Sequence, residues 1–204
     1  MKGRSKYYNY LILDADKLYK LFEKFDTNEL CIREVQNSDL DEFKGCVIYV
    51  GKGSGERKYT HLREAENLMN GFSDKRRASA KFTKIIRTWR RGQGVIILQI
   101  LSGADHYISL CRENAMIKAV GSNLTNLING SIYGLMKQKW SVFEIRNFGD
   151  MLLYHALQQC IKERPSPCFP ENGPKKKMRI YEPKKYFIRS NFELNGILDC
   201  FLDL

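Results

Sequence analysis

Cys46-Val47-Ile48-Tyr49-Val50 runs directly into Gly51-Lys52-Gly53-Ser54-Gly55, and how this stretch is read decides the fold. The first five residues, mostly β-branched or aromatic, suit a strand, and the glycine-rich turn after them ends it. Tyr7–Asp14 reads as an earlier strand and Val95–Ile100 as a third. Helical spacing separates them. From Asp16 onward, Leu18, Leu21, Phe22 and Phe25 share one face. Further helices are expected from near Lys58 toward Met69, from a Ser73-Asp74 cap to about Arg91, over Asp105–Val120, and over Phe148–Lys162. The polar stretch 26–45 offers one short strand, Leu30–Val35. The result is an α/β (α+β) domain, a small three-stranded mixed or antiparallel sheet flanked by helices, over residues 1–163. All five prolines and a lysine cluster lie beyond Glu163, so 164–185 reads as a Pro/Lys-rich linker or tail, with 186–204 packing back on the core.

Composition narrows the partners. Thirty-four lysines and arginines stand against 23 acids, a net charge of +11 that attracts a polyanion, nucleic acid foremost. No run of eighteen apolar residues occurs, so no transmembrane helix and no membrane partner are expected. Residues 1–6 are basic, but the apolar run behind them is too short for a signal peptide. The six cysteines are scattered without a C-x-x-C pair, which argues against structural zinc and for reduced thiols in a nuclear or cytoplasmic protein. Pro174-Lys-Lys-Lys-Met-Arg179 has the composition of a nuclear-import signal.

Four features carry chemistry. Tyr10 and Tyr49 sit inside apolar strands, where a tyrosine alone reads equally as core with its hydroxyl at the rim. Lys52 rides on the glycine turn, whose backbone N–H groups could approach phosphate, although the spacing is not that of a P-loop. Arg57 and His61 are four residues apart, one face of a starting helix, fit either to hold a phosphate and move a proton or simply to be solvated. Glu113 shares an apolar stripe with Met116, Ile117 and Val120. A carboxylate so placed needs a cation or a metal.

In order and spacing these residues resemble the GIY-YIG endonuclease superfamily. Tyr8-Asn9-Tyr10 is similar to its first motif, with Tyr8 in place of the glycine, and Tyr49-Val50-Gly51 to its second. Arg57, His61, Glu113 and the Asn126 of Leu-Thr-Asn follow at the expected places, over residues 7–126. Within the superfamily, Arg57-x-Tyr-x-His-Leu-x-Glu-Ala65, Arg112-Glu113-x-Ala115, Gly130 and Tyr133-Gly134 are similar to the nuclease domain of the ankyrin-repeat and LEM-domain endonucleases, over about residues 7–160. The chain has no ankyrin repeats and no room for a LEM domain, which reads as a fragment or a stand-alone relative.

The resemblance implies a phosphodiesterase using one divalent ion, Mg²⁺ or Mn²⁺, on Glu113. It further implies that Tyr10 positions or deprotonates the attacking water, provided that Lys52 and Arg57 lower its pKa. Tyr49 supports that geometry, Arg57 stabilises charge on phosphorus, His61 moves a proton or holds phosphate, and Asn126 holds the site together. The substrate implied is branched or structured DNA. Arg76, Arg77, Lys81, Lys84, Arg87 and Arg91, on the basic helix, are the candidate duplex contacts. Two other readings fit the same residues: a nucleic-acid-binding module without catalysis, and an RNase or toxin nuclease on the same scaffold.

Overall fold

The computed structural model describes residues 7–26, 35–73, 79–128 and 130–171. Three strands, β1 (Tyr7–Asp14), β2 (Val47–Gly53) and β3 (Val95–Ala104), form one antiparallel sheet in the order β2-β1-β3. The helices are α1 (Ala15–Asp26), α2 (Asn37–Cys46), α3 (Arg57–Met69), α4 (Ala80–Arg90), α5 (His106–Val120), α6 (Gly134–Lys139) and α7 (Val142–Glu163).

The position of β1 explains its composition. It is the middle strand, covered on both faces, so it needs apolar residues at odd and even positions alike. Leu11 and Leu13 point into a core shared with α1, α2, α5 and α7. Tyr8, Tyr10 and Ile12 point the other way, into a smaller core with Ala65 of α3 and Ile85 and Trp89 of α4. Asn9 falls on the α5 face. Fully buried, it donates its amide to the Ser109 carbonyl at 2.9 Å and ties the sheet to α5.

Several boundaries differ from the sequence reading. Helix α2 occupies residues expected to be irregular. Its cap is Gln36, an uncommon capping residue, which shares a capping box with Asp39, and its apolar face includes Leu40 and Phe43. The strand expected at Leu30–Val35 lies outside the described residues except for Val35. β2 begins at Val47, because Cys46 closes α2, and it continues through Gly51 and Lys52 to Gly53, paired with β1 as far as Tyr8. The turn is therefore confined to residues after Gly53. Helix α4 starts at Ala80 rather than after Ser73-Asp74, with the Ser79 hydroxyl accepting from the Phe82 N–H. The last helix starts at Val142, on a Ser141/Glu144 capping box.

The chain after Arg164, which turns out of α7 with φ of 47°, is extended but packed. Cys168 forms a two-way backbone bridge with Val95 and also accepts from the Trp89 indole at 3.1 Å. Residues 172–204, with the lysine cluster and the C-terminal segment, lie outside the described residues.

Helices α5 and α7 meet at Gly149. A Cβ there would stand 2.1 Å from the Ala115 carbonyl oxygen and 2.8 Å from the Ala119 Cβ. Backbone cannot yield as a side-chain tip can, so Gly149→Ala must push α5 and α7 apart. The expected cost is about 2 kcal/mol or more, as for overpacking a filled core. Urea unfolding of the variant measures it, and an unchanged midpoint would contradict so close a crossing.

Candidate active site

The site is built around the outer edge of β2. Tyr10 of β1 faces Gly51 of β2 across the ladder, and the two phenol rings of Tyr10 and Tyr49 occupy the space above that glycine. A Cβ at residue 51 would come within 2.5 Å of the Tyr10 ring and 2.7 Å of the Tyr49 ring. The glycine of Tyr49-Val50-Gly51 is thus required by the tyrosines, with no turn at that point. The two rings lie 6.1 Å apart, centre to centre, and are not equivalent. Tyr49 lines a cavity of about 530 Å³, whereas Tyr10 is 1% exposed and lies behind it. Burial raises the pKa of both hydroxyls, and the nearby Arg57 guanidinium offsets only part of the shift. Desolvation thus outweighs the pull of Arg57 on both phenols.

Tyr8, which departs from the GIY pattern, anchors the turn beyond Gly53. Its hydroxyl donates to the Gly55 carbonyl at 2.6 Å and accepts from the Lys58 N–H at 3.4 Å. This holds the first turn of α3 and with it Arg57, which reaches the cavity. His61, one turn later, is 7% exposed and packs against Tyr49 with ring centres 5.1 Å apart. Burial and the Lys81 ammonium push its pKa down to about 4, so it is neutral and not a cationic phosphate donor. Lys81, expected on an outward basic stripe, instead turns inward. Its Nζ lies 3.3 Å from His61 Nε2 and 4.3 Å above the Tyr49 ring centre, and desolvation lowers its pKa to about 8. Lys84 is half-buried, while Arg87 and Arg91 are exposed. Arg76 and Arg77 lie outside the described residues.

From the opposite side α5 supplies Glu113, one turn beyond the Ser109 that Asn9 holds. Burial raises the Glu113 pKa to about 7, against the pull of the Lys52 ammonium, the Lys52 N–H and Arg57. Lys52 is itself 3.0 Å from His106 Nδ1. Asn126 takes the place of a further strand: its amide oxygen accepts from the Val50 N–H at 3.1 Å and its amide nitrogen donates to the Val50 carbonyl at 2.8 Å. Thr125 adds a hydroxyl bond to the Ile48 carbonyl at 2.8 Å.

The cavity therefore gathers Tyr49, Lys52, Arg57, Lys81, Glu113 and Asn126, with Tyr10 and His61 packed behind. Among the described residues no group of three or more His, Cys, Asp or Glu side chains could cage a metal. A single half-buried carboxylate beside an open cavity is nevertheless a donor set that suits a hard ion of the Mg²⁺ type, which keeps most of its waters and takes one or two carboxylates. The contributions of Asn9, Tyr8 and His106, and the inward turn of Lys81, were not read from sequence. The first three depend on contacts 47 or more residues apart in the chain. No helix among the described residues is long and apolar enough to cross a membrane.

A family model described as the LEM-3-like GIY-YIG domain matches residues 7–175. The chain is 32% identical over 124 residues to the Caenorhabditis elegans ankyrin repeat and LEM domain-containing protein 1 homolog, covering 60% of this chain and 18% of that protein. It is 30% identical over 167 residues to the human ankyrin repeat and LEM domain-containing protein 1, covering 79% of this chain and 27% of that protein. The chain thus spans about a quarter or less of the length of these relatives. No solved structure matches.

The raised pKa of Glu113 has a consequence for stability. Between its ordinary value of 4.5 and about 7, the folded protein keeps a proton that the unfolded chain has released, so stability falls as pH rises through that window. Glu113→Gln removes the ionisation. In EDTA the variant should gain on wild type by on the order of 2 kcal/mol between pH 5 and pH 8. Urea unfolding at both pH values measures this, and a difference that stays flat with pH would contradict the burial of the carboxylate.

Proposed function

We propose that this chain, which belongs to the LEM-3-like GIY-YIG domain family, is a metal-dependent endonuclease that hydrolyses DNA phosphodiesters, with branched or otherwise structured duplexes as preferred substrates. The family fold is that of a nuclease. The observation that carries the finer reading is the composition of one cavity: a carboxylate, three cations and the phenols of Tyr7 and Tyr49. Binding a polyanion needs only the cations. A half-buried Glu113, which raises the cost of every nearby negative charge, makes no sense in a purely phosphate-binding pocket and supports a catalytic one over a binding module.

In this reading Arg57, exposed at the start of α3, holds the scissile phosphate through its planar fork and opposes the charge that grows on phosphorus. Lys52 and Lys81 flank it. Tyr49 brings to the cavity a neutral phenol that accepts a hydrogen bond from the attacking water and orients it. Tyr10 acts behind Tyr49. His61, held neutral, is not a general acid at neutral pH; packed on Tyr49 and beside Lys81, it fixes both. Glu113 holds the divalent ion, for which hard oxygen donors favour Mg²⁺ or Mn²⁺. When bound, the ion supplies positive charge where negative charge develops on the transferred phosphoryl group. The choice of DNA, and of branched DNA, rests on the likeness to ankyrin-repeat and LEM-domain endonucleases together with the net charge of +11. A nuclear location fits the lysine cluster at 174–179 and the LEM domain in the relatives' names.

The test is cleavage of matched linear, flap, four-way-junction and RNA substrates in Mg²⁺, Mn²⁺ or EDTA. Wild-type protein should cut flap or junction DNA only with metal. Glu113→Gln should lose roughly 10²-fold or more in single-turnover rate, with DNA affinity held within a few-fold. Metal-dependent cutting of the RNA in preference to DNA would make the protein a ribonuclease, and full activity of the glutamine variant would remove Glu113 from the reaction.

A further inference from the structure

Beside Glu113, the cavity is bordered by a loop whose tip is apolar and bare. Leu127 is 82% exposed and Ile128 78% exposed, and both line the cavity that also holds Lys52 and Arg57. The described residues on either side of the tip are anchored. Asn126, immediately before Leu127, is clamped to the Val50 backbone by its two amide bonds. Gly130, with φ of 67°, packs against the Asn114 backbone and accepts from the Asn114 amide at 3.4 Å. The two anchors sit on β2 and α5, the elements that carry Tyr49 and Glu113. Leu127 and Ile128 thus follow directly on a residue clamped to β2, exposed to water where burial would stabilise them.

We infer that Leu127 and Ile128 form a wedge that enters the base stack of a bound nucleic acid beside the phosphate to be cut. The inference rests on the nuclease reading of the cavity and names what the apolar tip meets there. Two aliphatic side chains fall far short of the roughly 800 Å² per partner of a standard protein interface. They match the small apolar wedges, leucine and isoleucine among them, that unstack one base step in proteins that bend DNA. The cations that line the same cavity as the tip suit the same ligand. A wedge also accounts for a preference for branched or unpaired substrates. Unstacking costs least where pairing is already broken, so a flap or junction accepts the wedge at a step where continuous duplex resists it.

The test uses the full chain carrying Glu113→Gln, so that DNA stays intact, and junction and duplex DNA with 2-aminopurine tiled across the branch point and the matching duplex steps. Binding should raise 2-aminopurine fluorescence several-fold at one step. Adding Leu127→Ser and Ile128→Ser should abolish that rise, with DNA affinity within about three-fold and an unchanged salt slope. In the cleavage-competent protein the same pair should slow cutting of continuous duplex at least ten-fold and of a pre-unpaired site less than three-fold. The thermal midpoint should match wild type, because both side chains are exposed. A serine pair that keeps the fluorescence rise, or slows both substrates alike, overturns the wedge. Unstacking by a wild-type protein that never cuts would leave the wedge standing and refute the nuclease reading, while cutting without unstacking would do the reverse.

Discussion

Gly51 and the two phenols above it form the contact on which the rest of the site depends. Because no Cβ fits at residue 51, the rings of Tyr10 and Tyr49 can lie side by side on the face of the sheet opposite the larger core. That pairing needs β1 and β2 in a register that sets Tyr10 opposite Gly51, and the register in turn sets Tyr8 opposite Gly53. Tyr8 then reaches the Gly55 carbonyl and the start of α3, so one strand pairing places the phenols and Arg57 together. The alternate residues of the same two strands face α5. Asn9 grips Ser109 and Lys52 approaches His106, which brings Glu113 to the cavity from the other face. A slip of one residue would invert both sets.

Burial sets the electrostatics. The hydroxyls of Tyr10 and Tyr49 and the Glu113 carboxyl are all pushed toward their neutral forms, and so are Lys81 and His61. Groups of both signs thus hold less charge than they would in water, which is what a desolvated site prepared for added charge looks like. An anion and a cation arriving together would relieve the penalty on each. The phosphate favours charged Lys81, and a divalent ion favours charged Glu113.

Much of this was legible from local sequence. The strand–glycine–helix order from Cys46 to Met69 placed Tyr49, Lys52, Arg57 and His61 on neighbouring elements, because each signal is short-range. Glu113 stood out because an acid interrupts an apolar stripe. The rest depended on tertiary contacts. α2 has a Gln36 cap that no capping preference would select, and its apolar positions, Leu40 and Phe43, are too sparse to outweigh a polar surround. Lys81 sits at the helical spacing of an outward stripe, yet the first turn of α4 abuts Tyr49 and His61, and only the packing of α3 against α4 turns it inward. The ranking of the two tyrosines was also hidden. Both occupy apolar strands, and it takes the position of the cavity to distinguish the ring in front from the ring behind.

Single-turnover cleavage of bound, labelled junction DNA by Tyr49→Phe and Tyr10→Phe tests the ranking of the two tyrosines. Each substitution keeps the ring and deletes one hydroxyl, so both proteins should fold with thermal midpoints near wild type. Tyr49→Phe should lose roughly 10²-fold in rate, as when a positioned group at the reacting water is removed, and Tyr10→Phe about ten-fold less. A Tyr49→Phe protein that cuts within a few-fold of wild type, beside a Tyr10→Phe protein that does not cut, would contradict this ranking and return the attacking water to Tyr10.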